Sequence, residues 1–218
     1  MHGGHGGRGI YVIQTDPAAI VTPLIEACTF TENGAPSGAA IKMQASGGTI
    51  TVRNCTFNDN GTAGTAQGGA IDFGISSDGV VVGNTFGGNT AVLGAALCAD
   101  QCGPIELSDN DFVGNNVVAG GKGAVYLRRP ATAMRFERNR IVNTSGGRLS
   151  GLYLAQGTFN SVNNIVAANT TAETGGVAGV LIDLTASVIS DNDTVCNNTA
   201  SGTSGWDGID VVWPGRSR

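Results

Sequence analysis

Lys42, Asp72, Asp100, Tyr126, Arg128, Tyr153 and Asp183 are the residues of this 218-residue chain whose types could do chemistry together. A carboxylate can serve as a base or hold a metal ion, Lys and Arg can pair with an acidic sugar, and a Tyr ring offers a stacking platform. Brought onto one face, they would line a carbohydrate groove. A plainer reading makes Lys42 with Asp72, and Asp100 with Arg128, ion pairs between neighbouring turns of a solvated face, each worth less than about 1 kcal/mol. Choosing between them requires the elements that position the residues.

Those elements are announced by a repeat. Anchored on the large apolar residue of "CTFNDN", one column runs Phe30, Phe57, Phe86, Phe112, Ile141, Val166, Thr194. Two positions earlier stand Cys28, Cys55, Asn84, Asn110, Asn139, Asn164 and Asn192; three positions later stand Asn33, Asn60, Asn89, Asn115, Thr144, Asn169 and Asn197. A second anchor is the small residue before a branched one, as in Ala40-Ile41, Ala70-Ile71, Ala96-Leu97 and Ala124-Val125. Short alternating runs such as "AIKMQ", "TITVRNCTF" and "AVYLR" lie between clusters of Gly, Asn, Ser and Asp, which reads as strands joined by turns. Helical spacing is absent.

A repeat near 27 residues holding two or three strands is too short for a propeller blade and lacks the leucine-rich pattern. It fits one coil of an all-β, single-stranded right-handed parallel β-helix, with about eight coils stacked at roughly 4.8 Å. The Phe column becomes an internal ladder. The Asn column falls at a turn, where Asn tolerates the left-handed conformation and can bond from coil to coil. Gly-Gly-Ala suits a corner where backbone meets backbone. Alternation turns Ile41, Met43, Ile71, Phe73, Val125, Leu127, Leu152 and Leu154 inward, and leaves Tyr11, Lys42, Asp72, Cys98, Tyr126, Tyr153, Leu181 and Asp210 in one outward column. Gln44, Gly74, Asp100, Arg128, Ala155 and Asp183 form the next.

The paired motifs Phe-x-x-Asn ("FTEN", "FNDN", "FGGN", "FVGN") and "GGAI", "GAAI", "GAAL" resemble the repeats of polymorphic outer-membrane protein autotransporters. More broadly the chain is similar to the pectin-lyase-like β-helix proteins. The first resemblance implies a surface passenger segment, extracellular or on the cell surface; the second implies, as an alternative, a polysaccharide lyase or glycoside hydrolase whose site lies on the outward face and which could use Ca2+. The "GHG" at 4–6 is similar to a motif of the polygalacturonase branch, without its partner aspartate motifs in order.

Composition sets bounds. A net charge of -5 with a pI near 4.8 speaks against a nucleic-acid partner. No apolar run approaches the roughly 20 residues that span a bilayer, and "MHGGHGGRG" is no signal peptide, so the chain is either cytosolic or an internal piece of an exported protein. "GHGGRG" has no strand before it, "GGKG" lacks the spacing of a phosphate loop, and Arg8 stands where the calcium-binding nonapeptide needs Asp. His2 and His5 in a Gly-rich tail are weak metal ligands, the "DND" runs read as turns, and the Asn-x-Ser/Thr sequons arise by chance in so Asn- and Thr-rich a chain.

Cys28 and Cys55 share a column and are read as buried free thiols, with a strained disulfide as the alternative. Cys98 and Cys102 could close a small loop in an exported protein, and Cys196 has no mate. The expectation is thus a single domain over 1–218, with a Gly/His-rich start at 1–9 and a partial last coil at 201–218. Its role is that of a non-enzymatic scaffold, adhesin-like or glycan-binding segment. No catalytic or metal residue and no cofactor is assigned, and open coil ends favour self-association.

Overall fold

The computed structural model describes residues 7–14, 16, 18–44, 48–183 and 185–212; His2, His5 and the stretch 213–218 lie outside them. The described residues form short strands, turns and bends with no helix, and every strand pairing is parallel. The longest sheet stacks eight strands in chain order: Ile10–Ile13, Ile41–Gln44, Ile71–Phe73, Leu97–Asp100, Val125–Arg128, Leu152–Ala155, Val180–Asp183 and Ile209–Val212. A second sheet of seven strands includes Thr49–Arg53, a third of seven includes Thr56–Asn58, and a fourth of five includes Thr90–Leu93. The chain visits the sheets in the same order on each circuit. The result is an all-β parallel solenoid of about seven turns. The spacing led us to expect about eight; the eighth strand of the long sheet does not open another full circuit within the described residues.

The inward residues of the long sheet fill the lumen: Ile41, Met43, Ile71, Phe73, Val125 and Leu127 are fully buried there. Across from them Phe30, Phe57, Phe86 and Phe112 stack with centroids 4.9, 4.7 and 4.7 Å apart and planes within 13° of parallel. The spacing equals the distance between coils, so each ring packs on the next where a single coil could offer it no partner.

Two corners bend the chain from second sheet to third and from third to fourth, and both use one device. A residue with positive φ (Asp109 at 57°, Arg138 at 52°; Asp59 at 53°, Asn143 at 57°) is followed by an inward polar side chain. Asn84, Asn110, Asn139 and Asn164 form one ladder, Asn60, Asn89 and Asn115 another, all buried. The Oδ1 of Asn139 accepts both the backbone N–H of Asn110 (3.1 Å) and its Nδ2 (3.0 Å), while Asn110 Nδ2 also donates to the carbonyl of Val81 (2.8 Å). The ladder Asn is therefore not the left-handed residue, as the sequence reading had it. The preceding residue takes that conformation, and the Asn satisfies backbone N–H groups that the corner would otherwise bury unpaired.

Near the C-terminal end the register differs by one residue from the spacing-based alignment. Val166 pairs with Val195, not Thr194, and the ladders close on Asp193 and Asn198 in place of Asn192 and Asn197. The shift keeps an apolar side chain in the lumen, since a one-residue slip exchanges inward and outward faces. At the third corner, glycine is required: Gly68 sits at φ 55° and a Cβ there would lie 2.1 Å from the Ile71 carbonyl.

Candidate functional site: the outward face of the long sheet

The parallel register runs Tyr11, Lys42, Asp72, Cys98, Tyr126, Tyr153, Leu181, Asp210 across eight strands, and the structure thus brings the predicted outward column together. Asp100, Arg128, Ala155 and Asp183 follow as the neighbouring column. The face is not an open groove floor. Asp72, Tyr126 and Tyr153 are only 2–3% exposed. Residues just ahead of each long-sheet strand, paired coil to coil as Ser37, Gln67, Leu93, Lys122, Leu149, Val177 and Trp206, run beside the column and fold it into a corner. Leu93, Leu149 and Val177 join Cys98, Tyr126, Tyr153, Ala155 and Leu181 in a second apolar cluster outside the lumen.

Within this corner the polar groups pair with one another. Asp72 accepts from Ser37 Oγ (2.5 Å) and ion-pairs with Lys42, whose Nζ also donates to Ser37 Oγ (2.7 Å). Asp100 is gripped at both oxygens by Arg129 (Nε 3.0 Å, Nη2 2.9 Å), while Arg128 stands 3.7 Å away and donates through Nε to Gln156 (2.7 Å). The Asp100 pairing falls to Arg129, the left-handed residue (φ 49°) that follows the strand, more than to Arg128, and the two parallel bonds make it the stronger contact. Hydrogen bonding to Asp100 in turn raises the pKa of Arg129.

The two Tyr rings stack at 4.7 Å and 18°. Tyr153 donates its hydroxyl to Asp183 Oδ2 (2.8 Å), and Lys122 lies over its ring at 4.6 Å with Nζ 3.4 Å from its hydroxyl. Burial pushes the Tyr126 hydroxyl up, and burial followed by the Asp183 carboxylate pushes Tyr153 up further, so both stay neutral across the physiological range. As sugar platforms the rings are occupied by each other and by Lys122. Tyr11, 46% exposed with Arg8 over its ring at 4.8 Å and its hydroxyl donating to Gln44 (2.6 Å), is the column's open aromatic.

The sequence reading missed Ser37, Lys122, Arg129 and Gln156. Ser37 and Lys122 belong to the lead-in column, three or four residues ahead of the Ile/Leu/Val anchor, where repeat alignment could have found them. Arg129 and Gln156 are left-handed residues ending their strands, a conformation that composition does not signal. Among the described residues no three His, Cys, Asp or Glu side chains converge as a metal-binding group. Asp100 and Asp183 share a column but are three coils apart, roughly 14 Å at the inter-strand spacing, whereas Asp72 and Asp100 stand on neighbouring coils, each with its own cationic partner.

All five cysteines are free thiols, so neither suggested disulfide is present. Cys98 and Cys102 are buried but belong to different clusters, Cys98 to the outer corner and Cys102 to the lumen. Cys55 is buried as expected, whereas Cys28, on the first coil among the described residues, is exposed.

No curated protein and no solved structure matches the chain. A family model described as the right-handed β-helix region matches residues 3–141, well over half of the sequence, and stops at Ile141, where the aromatic ladder gives way to smaller side chains. Repeat, corner and register lead to the same place: the chain belongs to the right-handed β-helix family.

Proposed function

We propose that this chain is a non-enzymatic β-helix segment of a surface or secreted protein, a rod that presents its long-sheet corner to glycans. The observation that carries the reading is the mutual engagement of the corner's ionisable groups. Asp72 is held by Lys42 and Ser37, Asp100 by Arg129, and Asp183 by Tyr153. Groups so tied hold coils together more readily than they shuttle protons, since a general acid or base must be within reach of a substrate. Surface placement rests on the resemblance of the Phe-x-x-Asn and Gly-Gly-Ala-Ile repeats. Glycan contact would fall on Tyr11, Gln44 and the half-exposed Arg128, with Lys42, Asp72, Asp100, Tyr126, Tyr153 and Asp183 stiffening the wall behind them.

One observation favours a lyase or hydrolase instead: Lys122, Tyr153 and Asp183 lie in hydrogen-bonded succession, an arrangement able to pass a proton. The two readings separate in one experiment. Acidic and neutral polysaccharides are assayed for unsaturated and reducing-end products, with and without calcium, beside a glycan-binding array. The scaffold reading expects no turnover, and array binding weakened by Arg128→Ala. Turnover that is lost in Asp72→Ala, Arg128→Ala or Tyr153→Phe would replace it with the enzymatic one.

A further inference from the structure

The first corner ladder changes chemistry at its N-terminal end. From the third coil onward it is built of Asn, closing on Asp193, and each rung carries two hydrogen bonds, as between Asn84 and Asn110 at 3.0 Å from both the backbone N and Nδ2. The first two rungs are Cys28 and Cys55. There the backbone N–H of Cys28 meets only the Cys55 sulfur, at 3.4 Å. A sulfur acceptor is weak, and Cys has no amide to donate. The ladder is thus thinnest at the edge coil, where Ile20 and Leu24 are 80% and 54% exposed.

We infer that Cys28 and Cys55 form an oxidisable staple that locks the first coil to the second. Thr29 pairs directly with Thr56, which sets the two preceding Cα atoms about one strand spacing apart, inside the range a disulfide allows. The Cys55 sulfur already lies 3.4 Å from the backbone N of Cys28, beside the carbon that carries its thiol. Cys28 is exposed and Cys55 is 2% exposed, so the roles divide. The Cys28 thiolate attacks one sulfur of a small-molecule disulfide, releasing one small thiolate and leaving a mixed disulfide. Cys55 then gives its proton to solvent, attacks the Cys28 sulfur and expels the second thiolate. One small disulfide is reduced to two thiols as two protein thiols become one disulfide.

The test uses the full chain carrying Cys196→Ser, which leaves Cys28 as the exposed cysteine. Native protein is treated with oxidised glutathione, then examined by intact mass, peptide mapping and hydrogen exchange. The expected result is loss of two hydrogens, a 28–55 cross-link, exchange across residues 24–31 slowed by roughly tenfold or more, and reversal by dithiothreitol. Cys28→Ser should stay unmodified, and Cys55→Ser should stop at a single glutathione adduct. A stable glutathione adduct on Cys28 with Cys55 intact and free would overturn the inference, as would a cross-link that leaves exchange at 24–31 unchanged. Wild-type mapping alone decides the cross-link even where a variant folds poorly.

Discussion

Asn110 does more than fill a corner. Its Oδ1 takes the backbone N–H and Nδ2 of Asn84, and its own amide reaches both Val81 and Asn139. Asn110→Ala strands donors of Asn84 inside the wall, and we expect a loss of about 2–4 kcal/mol in chemical denaturation, because an unpaired buried polar group costs about 1–3 kcal/mol. The second ladder is already defective at Thr144, whose Oγ1 is buried without a partner and which breaks the run between Asn115 and Asn169. Thr144→Asn should restore the rung and raise stability by about 1 kcal/mol, read in the same assay. Buried thiols and phenols also make the fold sensitive to base. Burial pushes Cys102 from an ordinary 9.0 up to about 12, and moves Cys98 and Tyr153 in the same direction. These groups ionise first in the unfolded chain, so their contribution is complete below about pH 9 and is lost as pH rises toward 12. Unfolding free energy measured from pH 8 to 11 should be flat at first and then fall, and Cys102→Ala should reduce the steepness of the fall.

At the scale of coils, the fourth and fifth carry a charge code that repeat reading overlooked. Glu106, Asp109 and Asp111 on one coil face Arg135, Arg138 and Arg140 on the next, with contacts of 3.2, 2.7 and 2.6 Å. Arg138 holds the Asp109 carboxyl below its ordinary range. All three pairs are substantially exposed, so their value lies in fixing which coil stacks on which. Exchanging one pair tests this: Arg140→Glu alone should destabilise by about 0.5–1 kcal/mol, adding Asp111→Arg should recover most of it, and 1 M salt should erase the difference. The same contrast explains what could be read from residues alone. The Phe column, the inward Ile/Val/Leu positions and the outward column were legible because each recurs at coil spacing in side chains that must be buried or must not be. The slip at Val195 was not, because three Asn, two Asp and two Thr at 191–199 satisfy the motif in either register. Nor was the burial of Tyr126 and Tyr153 legible: alternation separates inward from outward, but only the lead-in residues Leu93, Leu149 and Val177 decide whether outward means solvent.

Across the whole molecule, stability should be graded along the rod. In a solenoid each coil is held only by its neighbours, so a coil with one neighbour opens before a coil with two. The middle coils show the fullest packing: Phe57, Phe86, Phe112 and Phe136 are wholly buried and both Asn ladders pass through them. Toward the C-terminal end Ile189 and Ile209 are 64% and 55% exposed, and the lumen opens into a space lined by Leu154, Val166, Ile182, Val188 and Val195 with Asp193 among them. Amide exchange should therefore be slowest across 71–160 and faster by at least about tenfold in the strands at 24–31 and 187–196. Among the described residues the last strand of each sheet beside this opening has one neighbour, and a parallel edge is a template for further pairing, so stacking of a second copy there is a testable prediction. If that stacking operates, raising the protein concentration will slow exchange at 187–196 selectively, together with a rise in light-scattering mass, while 71–160 stays unchanged. Uniform protection along the chain would instead mean that the rod unfolds as one cooperative unit, and concentration-independent exchange at the open end would mean that the exposed lumen has no second copy on it.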